Sequence, residues 1–347
     1  MPTLSHHKLK TKMETSAKNA RTVIFDQTGE AEVLTVKNIP VSAPGANEVR
    51  IKTKALGLNR ADAMYRRGAY LEHPVFPAKL GYEAAGIVES IGADVRNVKA
   101  GDRVSVIPAF SLNKYAMHGE LVLAPAYAVE KIPDWLDFKY AAALWSTYLT
   151  AYGLLVDQAQ VTAGQYVLIN AASSGVGLSA IQIANAAGAI PIALSTASSK
   201  KQALLNAGAA HVIVIQDQDV ASEVKRITNG KGANVILDAV GGHDFSALLS
   251  SAAFKGKILI YGTLSPDTTN ISTWDILRKN LNLSGFTVAD VNADPARLQA
   301  AKEFIYQGLQ THRLHPVIAE EFHLDDIVEA HRFLESNKQV GKVIVTL

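Results

Sequence analysis

Five short apolar segments alternate with helical segments between residues 148 and 288, and this alternation constrains the fold more than any other feature. The segments are YVLIN (166–170), IPIAL (190–194), HVIVI (211–215), NVILDAV (234–240) and KILIYG (257–262). Continuous apolar strands separated by helices are typical of a parallel sheet that is covered on both faces. Right-handed crossovers between such strands give a doubly wound α/β fold.

The regions on either side of this alternation have a different pattern. Before it, short strand-like runs such as EVRIKTKALGL (48–58) are broken by Gly and Pro, which predicts irregular antiparallel sheet or a partial barrel. The last part contains a helix near 295–309 and a final strand, KVIVTL, and it resembles the first region. We therefore predict four segments along the chain: a basic tail (1–20), the first part of a β-rich domain (21–147), the parallel-sheet domain (148–288) and the completion of the β-rich domain (289–347).

Composition and charge narrow the functional classes. The chain has 347 residues with 48% hydrophobic content, as expected for two globular domains. Its net charge is only +2, and four lysines with one glutamate in residues 1–20 account for this excess. The folded body is therefore almost neutral, and strong nucleic-acid binding, which needs a basic patch, is not expected.

Localisation and redox chemistry follow from what the sequence lacks. It contains no cysteine, so there is no disulfide, thiol nucleophile or thiolate metal ligand. The first 20 residues have no apolar core of a secretory signal, and no apolar run is long enough to span a bilayer. We expect a cytoplasmic protein without membrane contact.

The turn AASSGVG (171–177) after the first parallel strand predicts a dinucleotide site. Ala172 and Ser174 stand where G-x-G-x-x-G has its first two glycines. A pyrophosphate needs N–H groups at a helix start and no bulky side chain in its way. Small residues meet the second need, and a serine hydroxyl can donate to phosphate. The predicted phosphate-binding residues are Ser173, Ser174, Gly175, Val176 and Gly177. The alternative is a turn whose small residues serve packing alone.

The end of the second strand, ALSTASSKK (193–201), indicates which dinucleotide is bound. NAD-binding folds place an acid here to accept hydrogen bonds from the ribose, but this stretch has none. Hydroxyls and a lysine favour a 2′-phosphate instead, so we predict NADPH, held by Ser195, Thr196 and Lys200. The alternative is that Ser198 or Ser199 caps the next helix and the lysines are solvated.

Motifs spread over nearly the whole chain from about residue 21 resemble the medium-chain dehydrogenase/reductase superfamily. They include GLNRAD (57–62), LGYEAAGIVESIG (80–92), VKAGDRV (98–104), AASSGVG (171–177), LDAVGG (237–242) and VGKVIV (340–345). The resemblance implies a GroES-like catalytic domain, a Rossmann domain with the cofactor in the cleft between them, and a homodimer. It also implies that Thr150 binds the nicotinamide carboxamide and that Val240 and Gly262 lie beside the cofactor.

The zinc-dependent branch of that superfamily is similar but differs at its metal ligands. It has a cysteine where this chain has Asn59, a histidine where this chain has Tyr82, and a third ligand near Ser146. Amide, phenol and hydroxyl groups cannot replace thiolates and imidazole for Zn²⁺, so no metal site is expected. A substitute site built from His73, His118 and Glu83 is the less favoured alternative. The zinc-free quinone oxidoreductase branch is the better match.

Without a Lewis acid, hydride transfer requires an acceptor that is already electron-poor. We therefore expect a small-molecule acceptor, either a quinone or an α,β-unsaturated carbonyl compound, whose oxygen is stabilised by hydrogen-bond donors. The resemblance implies that Asn59 and Asp62 shape the cleft floor and that Tyr70 and Tyr82 reach the pocket. Met64 stands where the branch has a second tyrosine. Two alternatives remain: an alcohol dehydrogenase-like enzyme with atypical zinc ligation, and a non-catalytic NADPH-binding sensor.

Overall fold

The computed structural model describes residues 17–347. Within this range the strands, in chain order, are β1 (Lys18–Phe25), β2 (Thr35–Val41), β3 (Glu48–Gly57), β4 (Ala78–Lys79), β5 (Glu83–Ile91), β6 (Arg103–Val106), β7 (Leu121–Pro125), β8 (Val129–Lys131), β9 (Tyr166–Ile169), β10 (Ile190–Ser195), β11 (His211–Val214), β12 (Ala233–Asp238), β13 (Ala252–Ile260), β14 (Asn282–Gly285), β15 (Ile318–His323) and β16 (Lys342–Thr346).

The helices of the same range are α1 (Arg60–Arg66), α2 (Phe138–Ala142), α3 (Trp145–Tyr152), α4 (Gly175–Ala186), α5 (Lys201–Asn206), α6 (Val220–Ile227), α7 (Phe245–Ser251), α8 (Thr273–Lys279), α9 (Val288–Asn292), α10 (Pro295–Gln310) and α11 (Ile327–Glu335). Several begin where a short polar side chain accepts a hydrogen bond from the first turn. Asp294, for example, accepts from Ala296 N at 2.9 Å, and Pro295 opens α10. No helix between residues 17 and 347 is long and apolar enough to cross a membrane.

The predicted doubly wound sheet is confirmed. Six strands are ordered β11-β10-β9-β12-β13-β14, and every neighbouring pair is parallel. Alternate residues of β9 enter different cores: Val167 and Ile169 pack into one buried cluster and Leu168 into another, so both faces are covered. The edge strand β14 was not predicted, because NLSG is short and lacks a continuous apolar run.

The C-terminal segment adds strands β15 and β16 to the sheet of the β-rich domain. Its larger sheet is ordered β15-β16-β3-β5-β6-β8, with β7 also paired to β3. Strand β16 pairs antiparallel with β3 through Ile344 opposite Gly57. This pairing places the last strand beside GLNRAD, near the start of the chain, and thereby brings Lys342 to the site described below.

The N-terminal boundary differs from the prediction. Strand β1 begins at Lys18, which lies opposite Val41 of β2, so the predicted basic tail (1–20) overlaps the first strand. Lys18 Nζ also lies 2.6 Å from Glu89 Oε1. The pairing was missed because KNARTVIF mixes polar and apolar residues. The remaining tail lysines lie outside the described residues.

One buried cluster joins the two domains. It contains Ala55 and Ala85 of the β-rich sheet together with Val167 and Leu237 of the parallel sheet. Trp145, fully buried at the start of α3, belongs to it and donates from Nε1 to Ser105 Oγ at 2.7 Å. Because the cluster spans both domains, the walls of the cleft between them are held in a defined relationship.

Candidate active site

A cleft of about 1850 Å³ lies between the domains. One wall comes from α1 and the loops of the β-rich domain, and the other comes from the carboxyl ends of β9, β10, β12 and β13. In open parallel sheets, ligands bind at these strand ends. Of the predicted site residues, all line the cleft except two, Asp62 and Gly177.

The turn between β9 and α4 forms one end of the cleft. Ser174 caps α4, and its Oγ accepts from Gly177 N at 3.0 Å. The first N–H groups of a helix have no intrahelical partner, so those of Gly175 and Val176 are available to an anion. Ser173 O accepts from Gly341 N at 3.0 Å, which ties this turn to the residue before β16.

Gly177 does not line the cleft, which corrects its prediction as a phosphate contact. Its N–H is bonded to Ser174, and a Cβ at this position would lie 2.5 Å from Ala172 O. The missing side chain therefore allows the helix to approach the turn closely. The sequence pattern thus identified a glycine that this close approach requires.

Lys200 lies at the second-strand end of the cleft and is only 8% exposed. Its Nζ donates to Ser173 Oγ at 3.1 Å and to Asn337 O at 2.5 Å, both neutral oxygens. Burial, with a smaller effect of nearby Arg60, lowers the pKa of Lys200. A buried ammonium beside a second cation favours an anionic ligand.

The alternative interpretation of this stretch is not supported. Neither Ser198 nor Ser199 provides a side-chain cap to the short 3₁₀ turn Ser198–Lys200 or to α5. Lys200 is buried rather than solvated, although Lys201 is exposed. Ser195 and Thr196 line the cleft as predicted, and Ser195 Oγ donates to Ala197 O at 2.8 Å.

The middle of the cleft is bordered by Thr150, Val240 and Gly262. Buried Asp238, the last residue of β12, accepts from Val240 N at 3.0 Å and from Gly241 N at 2.9 Å, and so holds the turn after this strand. A Cβ at Gly262 would lie 2.8 Å from Ala239 O, so these two strand ends approach too closely for a side chain.

On the β-rich side of the cleft, Asn59 immediately precedes α1, and its side chain is fixed by three groups. Its Oδ1 accepts from Lys342 Nζ at 2.6 Å, and its Nδ2 donates to Glu83 Oε2 at 3.1 Å and to Gly57 O at 3.2 Å. The amide is thus held at the cleft floor in a single orientation.

A buried ion pair lies beside this asparagine. Lys342 Nζ is 2.5 Å from Glu83 Oε2, and the two side chains are 5% and 1% exposed. The second carboxylate oxygen, Glu83 Oε1, accepts from Ser146 N at 2.7 Å. Asn59 and Ser146, which match zinc-ligand positions in the similar branch, are therefore both engaged with this ion pair.

Within residues 17–347, no group of three or more His, Cys, Asp or Glu side chains could hold a metal ion. The alternative set His73, His118 and Glu83 does not form such a group. His118 is buried instead against Asp62, with 4.0 Å between Nε2 and Oδ2, and burial lowers its pKa to about 3. It is a neutral interior residue.

Asp62 does not border the cleft, so its predicted catalytic placement needs correction. It is fully buried, and its Oδ2 accepts from Asn59 N at 2.8 Å. Burial raises the pKa of Asp62 to about 7, against the lowering effects of its hydrogen bonds and of Lys342. It supports the cleft floor through the backbone of Asn59.

Tyr70 and Tyr82 both line the cleft, and their ring centroids are 6.2 Å apart in an edge-on arrangement. Burial raises the pKa of both phenols, so each stays protonated and can donate a hydrogen bond at neutral pH. Met64 also lines the cleft, as expected if it takes the place of a second tyrosine.

The sequence reasoning missed several cleft residues, chiefly Lys342, Arg60 and Asn337. The motifs quoted above included Lys342 in VGKVIV and Arg60 in GLNRAD, but nothing local indicated that either side chain faces the cleft. Arg60 donates to Asn337 Oδ1 across 277 residues of sequence, and such pairings depend on strand order rather than local pattern.

Comparison with known proteins adds independent findings. A family model described as zinc-binding dehydrogenase matches residues 175–305, and one described as alcohol dehydrogenase GroES-like domain matches residues 45–134. A quinone oxidoreductase of Homo sapiens is 31% identical over 337 residues, which span 96% of this chain and 100% of the relative.

Two solved structures that resemble this chain contain NADPH. The quinone oxidoreductase of Escherichia coli, crystallised with NADPH, is 30% identical with a TM-score of 0.87. A mycobacterial protein, also crystallised with NADPH, is 26% identical with a TM-score of 0.86. Each alignment covers 94% of this chain and 100% of the other.

Proposed function

The chain belongs to the medium-chain dehydrogenase/reductase superfamily of oxidoreductases, in its quinone oxidoreductase-like branch, and we propose that it transfers a hydride from NADPH to a quinone or an α,β-unsaturated carbonyl compound. The observation that carries the proposal is the layout of one continuous cleft. A helix N-terminus and a buried lysine line it where the parallel strands end, and two protonated tyrosines line it from the β-rich domain.

The cofactor half of the cleft fits a phosphorylated dinucleotide. The N–H groups of Gly175 and Val176 and the hydroxyl of Ser174 would bind the pyrophosphate. Lys200, with Arg60 nearby, would bind the 2′-phosphate, because the hydrogen-bond partners of both cations here are neutral amide and hydroxyl oxygens. Thr150, Val240 and Gly262 would flank the nicotinamide, which supplies the hydride when NADPH is bound.

The other half suits an acceptor whose oxygen gains negative charge. The hydroxyls of Tyr70 and Tyr82 would donate hydrogen bonds to that oxygen, and the fixed amide of Asn59 would orient the ring. We further propose that no zinc takes part. Support comes from Lys342, whose ammonium group is bonded to Asn59, at one ligand position of the zinc-dependent branch, and to Glu83, which accepts from Ser146 N at another.

Tyr82→Phe and Tyr70→Phe test the acceptor site, with oxidation of NADPH followed against a panel of quinones and enones. We expect kcat to fall about 10-fold or more for each variant, because a donor to the developing charge is lost. Binding of NADPH should not change. A folded, NADPH-binding protein that reduced no member of the panel would overturn the proposal.

Metal analysis and an alcohol panel separate the alternatives. Stoichiometric zinc with chelator-sensitive oxidation of alcohols would favour the alcohol dehydrogenase-like enzyme. Binding of NADPH without turnover of any acceptor would favour the non-catalytic sensor. We expect turnover that EDTA leaves unchanged.

A homodimer in the cytoplasm is the assembly and location that we propose, on the family resemblance. Strand β14 is at one edge of the parallel sheet and offers unpaired backbone groups to a second copy. Light scattering of the purified protein tests the assembly: a mass near twice 37.1 kDa is expected, and a monomer would contradict it.

A further inference from the structure

The acceptor half of the cleft continues beyond the two tyrosines as a row of aromatic rings. The Tyr82 and Phe110 centroids are 5.9 Å apart, and those of Phe110 and Tyr115 are also 5.9 Å apart. With Tyr70, these side chains form what we call the aromatic row, and all four line the cleft. Ring contacts at such distances form a continuous apolar surface with protonated hydroxyls at intervals.

Two further large apolar side chains line the same cleft. Leu71 is 82% exposed and Tyr127 is 68% exposed, yet both line the cleft. Leu71 directly follows Tyr70, and Tyr127 lies near Tyr115, so the two residues flank the row; we call them the apolar lip. Exposed apolar groups that border a cleft, rather than standing alone on the surface, are typical of ligand-binding surfaces.

The loop that carries Leu71 is held in place by polar contacts. The carboxylate of Glu72 accepts hydrogen bonds from Leu112 N at 3.0 Å, from Asn113 Nδ2 at 2.7 Å and from the hydroxyl of Ser111. Asn113 Oδ1 in turn accepts from Val75 N at 2.9 Å. We call Glu72 and Asn113 the loop clasp. It joins the Leu71 loop to the Phe110 loop, so the exposure of Leu71 is built into the fold.

The proposed cofactor positions do not use this surface. Every member of the aromatic row and the lip comes from the β-rich domain, whereas the residues that fit NADPH come mainly from the ends of the parallel strands and from α4. The aromatic row and the lip are thus left for the acceptor, and they extend well past the space that one conjugated ring needs.

From this continuity we infer that the preferred acceptor carries an extended apolar substituent on its conjugated ring, and that Leu71 and Tyr127 bind this substituent. The inference rests on the proposed function and names the substrate class of the same site. The oxygen of the ring would lie at the hydroxyls of Tyr70 and Tyr82, and the substituent would lie along the aromatic row and cover the exposed side chains of the lip, removing them from water.

The test compares two acceptors, unsubstituted benzoquinone and a decyl-substituted benzoquinone kept below its micelle concentration. We expect the wild type to reduce the decyl compound with about 10-fold higher kcat/KM, since burial of one large apolar side chain stabilises by about this factor. Leu71→Ser and Tyr127→Ser should each remove most of this preference and leave kcat/KM for benzoquinone unchanged.

Leu277→Ser is the matched control, because Leu277 is 71% exposed on α8 and does not line the cleft. It should retain the wild-type preference. Equal kcat/KM for the two acceptors, or equal losses for both acceptors in the lip variants, would overturn the inference while the proposed function stands. Reduction of neither acceptor, by a folded protein that binds NADPH, would overturn the proposed function and the inference with it.

Discussion

Lys342 and Glu83 form an ion pair at the cleft floor, with 2.5 Å between Nζ and Oε2, although 259 residues of sequence separate them. The pair is almost fully buried, so its cost of desolvation is offset only by its mutual attraction and by the hydrogen bonds of Asn59 and Ser146 N. Each buried charged group is therefore stabilised mainly by its partner.

Removing only the cation should destabilise the protein. In Lys342→Met the Glu83 carboxylate would remain buried without a counter-ion, and we expect a loss of about 3–5 kcal/mol in the free energy of unfolding. Urea unfolding monitored by circular dichroism measures this loss. The double variant Lys342→Met/Glu83→Gln should recover part of it, and Lys338→Met, at an exposed position, should change little. If Lys342→Met were as stable as the wild type, the Glu83 carboxylate would not depend on Lys342 for its stabilisation.

The raised pKa of Asp62 should make the free energy of unfolding depend on pH. Its pKa is about 7 in the folded protein and 3.8 in the reference state, so the folded state binds the proton more tightly. Its contribution is fully present below pH 3.8 and is lost as the pH rises through 7. The rise in pKa corresponds to about 4 kcal/mol. We expect Asp62→Asn to be less pH-sensitive, so its free energy of unfolding should gain on the wild type between about pH 4 and pH 7. If the free energy of unfolding changed with pH in the same way in both proteins, the raised pKa of Asp62 would be contradicted.

We expect Lys200 to determine the preference for NADPH over NADH. Lys200→Ala should raise the Kd for NADPH about 10-fold or more, because a charge-assisted contact to the 2′-phosphate is lost, and leave the Kd for NADH nearly unchanged. Lys201→Ala is the matched control, since Lys201 is the next residue and is exposed. Titration of each variant with both dinucleotides measures the effect. If wild-type protein bound NADH more tightly, the assignment would be wrong.

The hydrogen bonds of Asn113 should hold the Leu71 loop in its position at the cleft. In Asn113→Ala the hydroxyl of buried Tyr65, which donates to Asn113 Oδ1 at 2.8 Å, loses its partner together with Val75 N. We expect a loss of about 1–3 kcal/mol in stability and a higher KM for acceptors, with the Kd for NADPH unchanged. Asn206→Ala, on the exposed end of α5, is the control. An unchanged KM would show that the loop clasp does not position this wall.

The parts that sequence alone could predict are those with local signals. Apolar runs of about five residues identify the parallel strands, and the small residues around Ser174 identify the phosphate turn, because both depend on neighbours in sequence. The absence of an acid before Lys200 is equally local. These predictions needed no knowledge of strand order.

The parts that could not be predicted depend on long-range packing. Lys342 reaches Asn59 only because β16 pairs with β3, and the burial of Asp62 follows from how α1 packs on its neighbours, beside His118. The exposure of Leu71 is set by hydrogen bonds to a loop about 40 residues further along the chain. No periodicity or motif carries this information.

The hydrogen bond from Gly341 N to Ser173 O has a consequence for how such a protein can diversify. The turn between β9 and α4 is bonded directly to the residue before Lys342, so an insertion or deletion between α11 and β16 would displace this turn and the Lys342–Glu83 pair together. Length changes there should be poorly tolerated. Substitution of the exposed side chains of Leu71 and Tyr127 would leave the loop clasp in place, so new acceptor preferences can arise there while the rest of the cleft stays as it is.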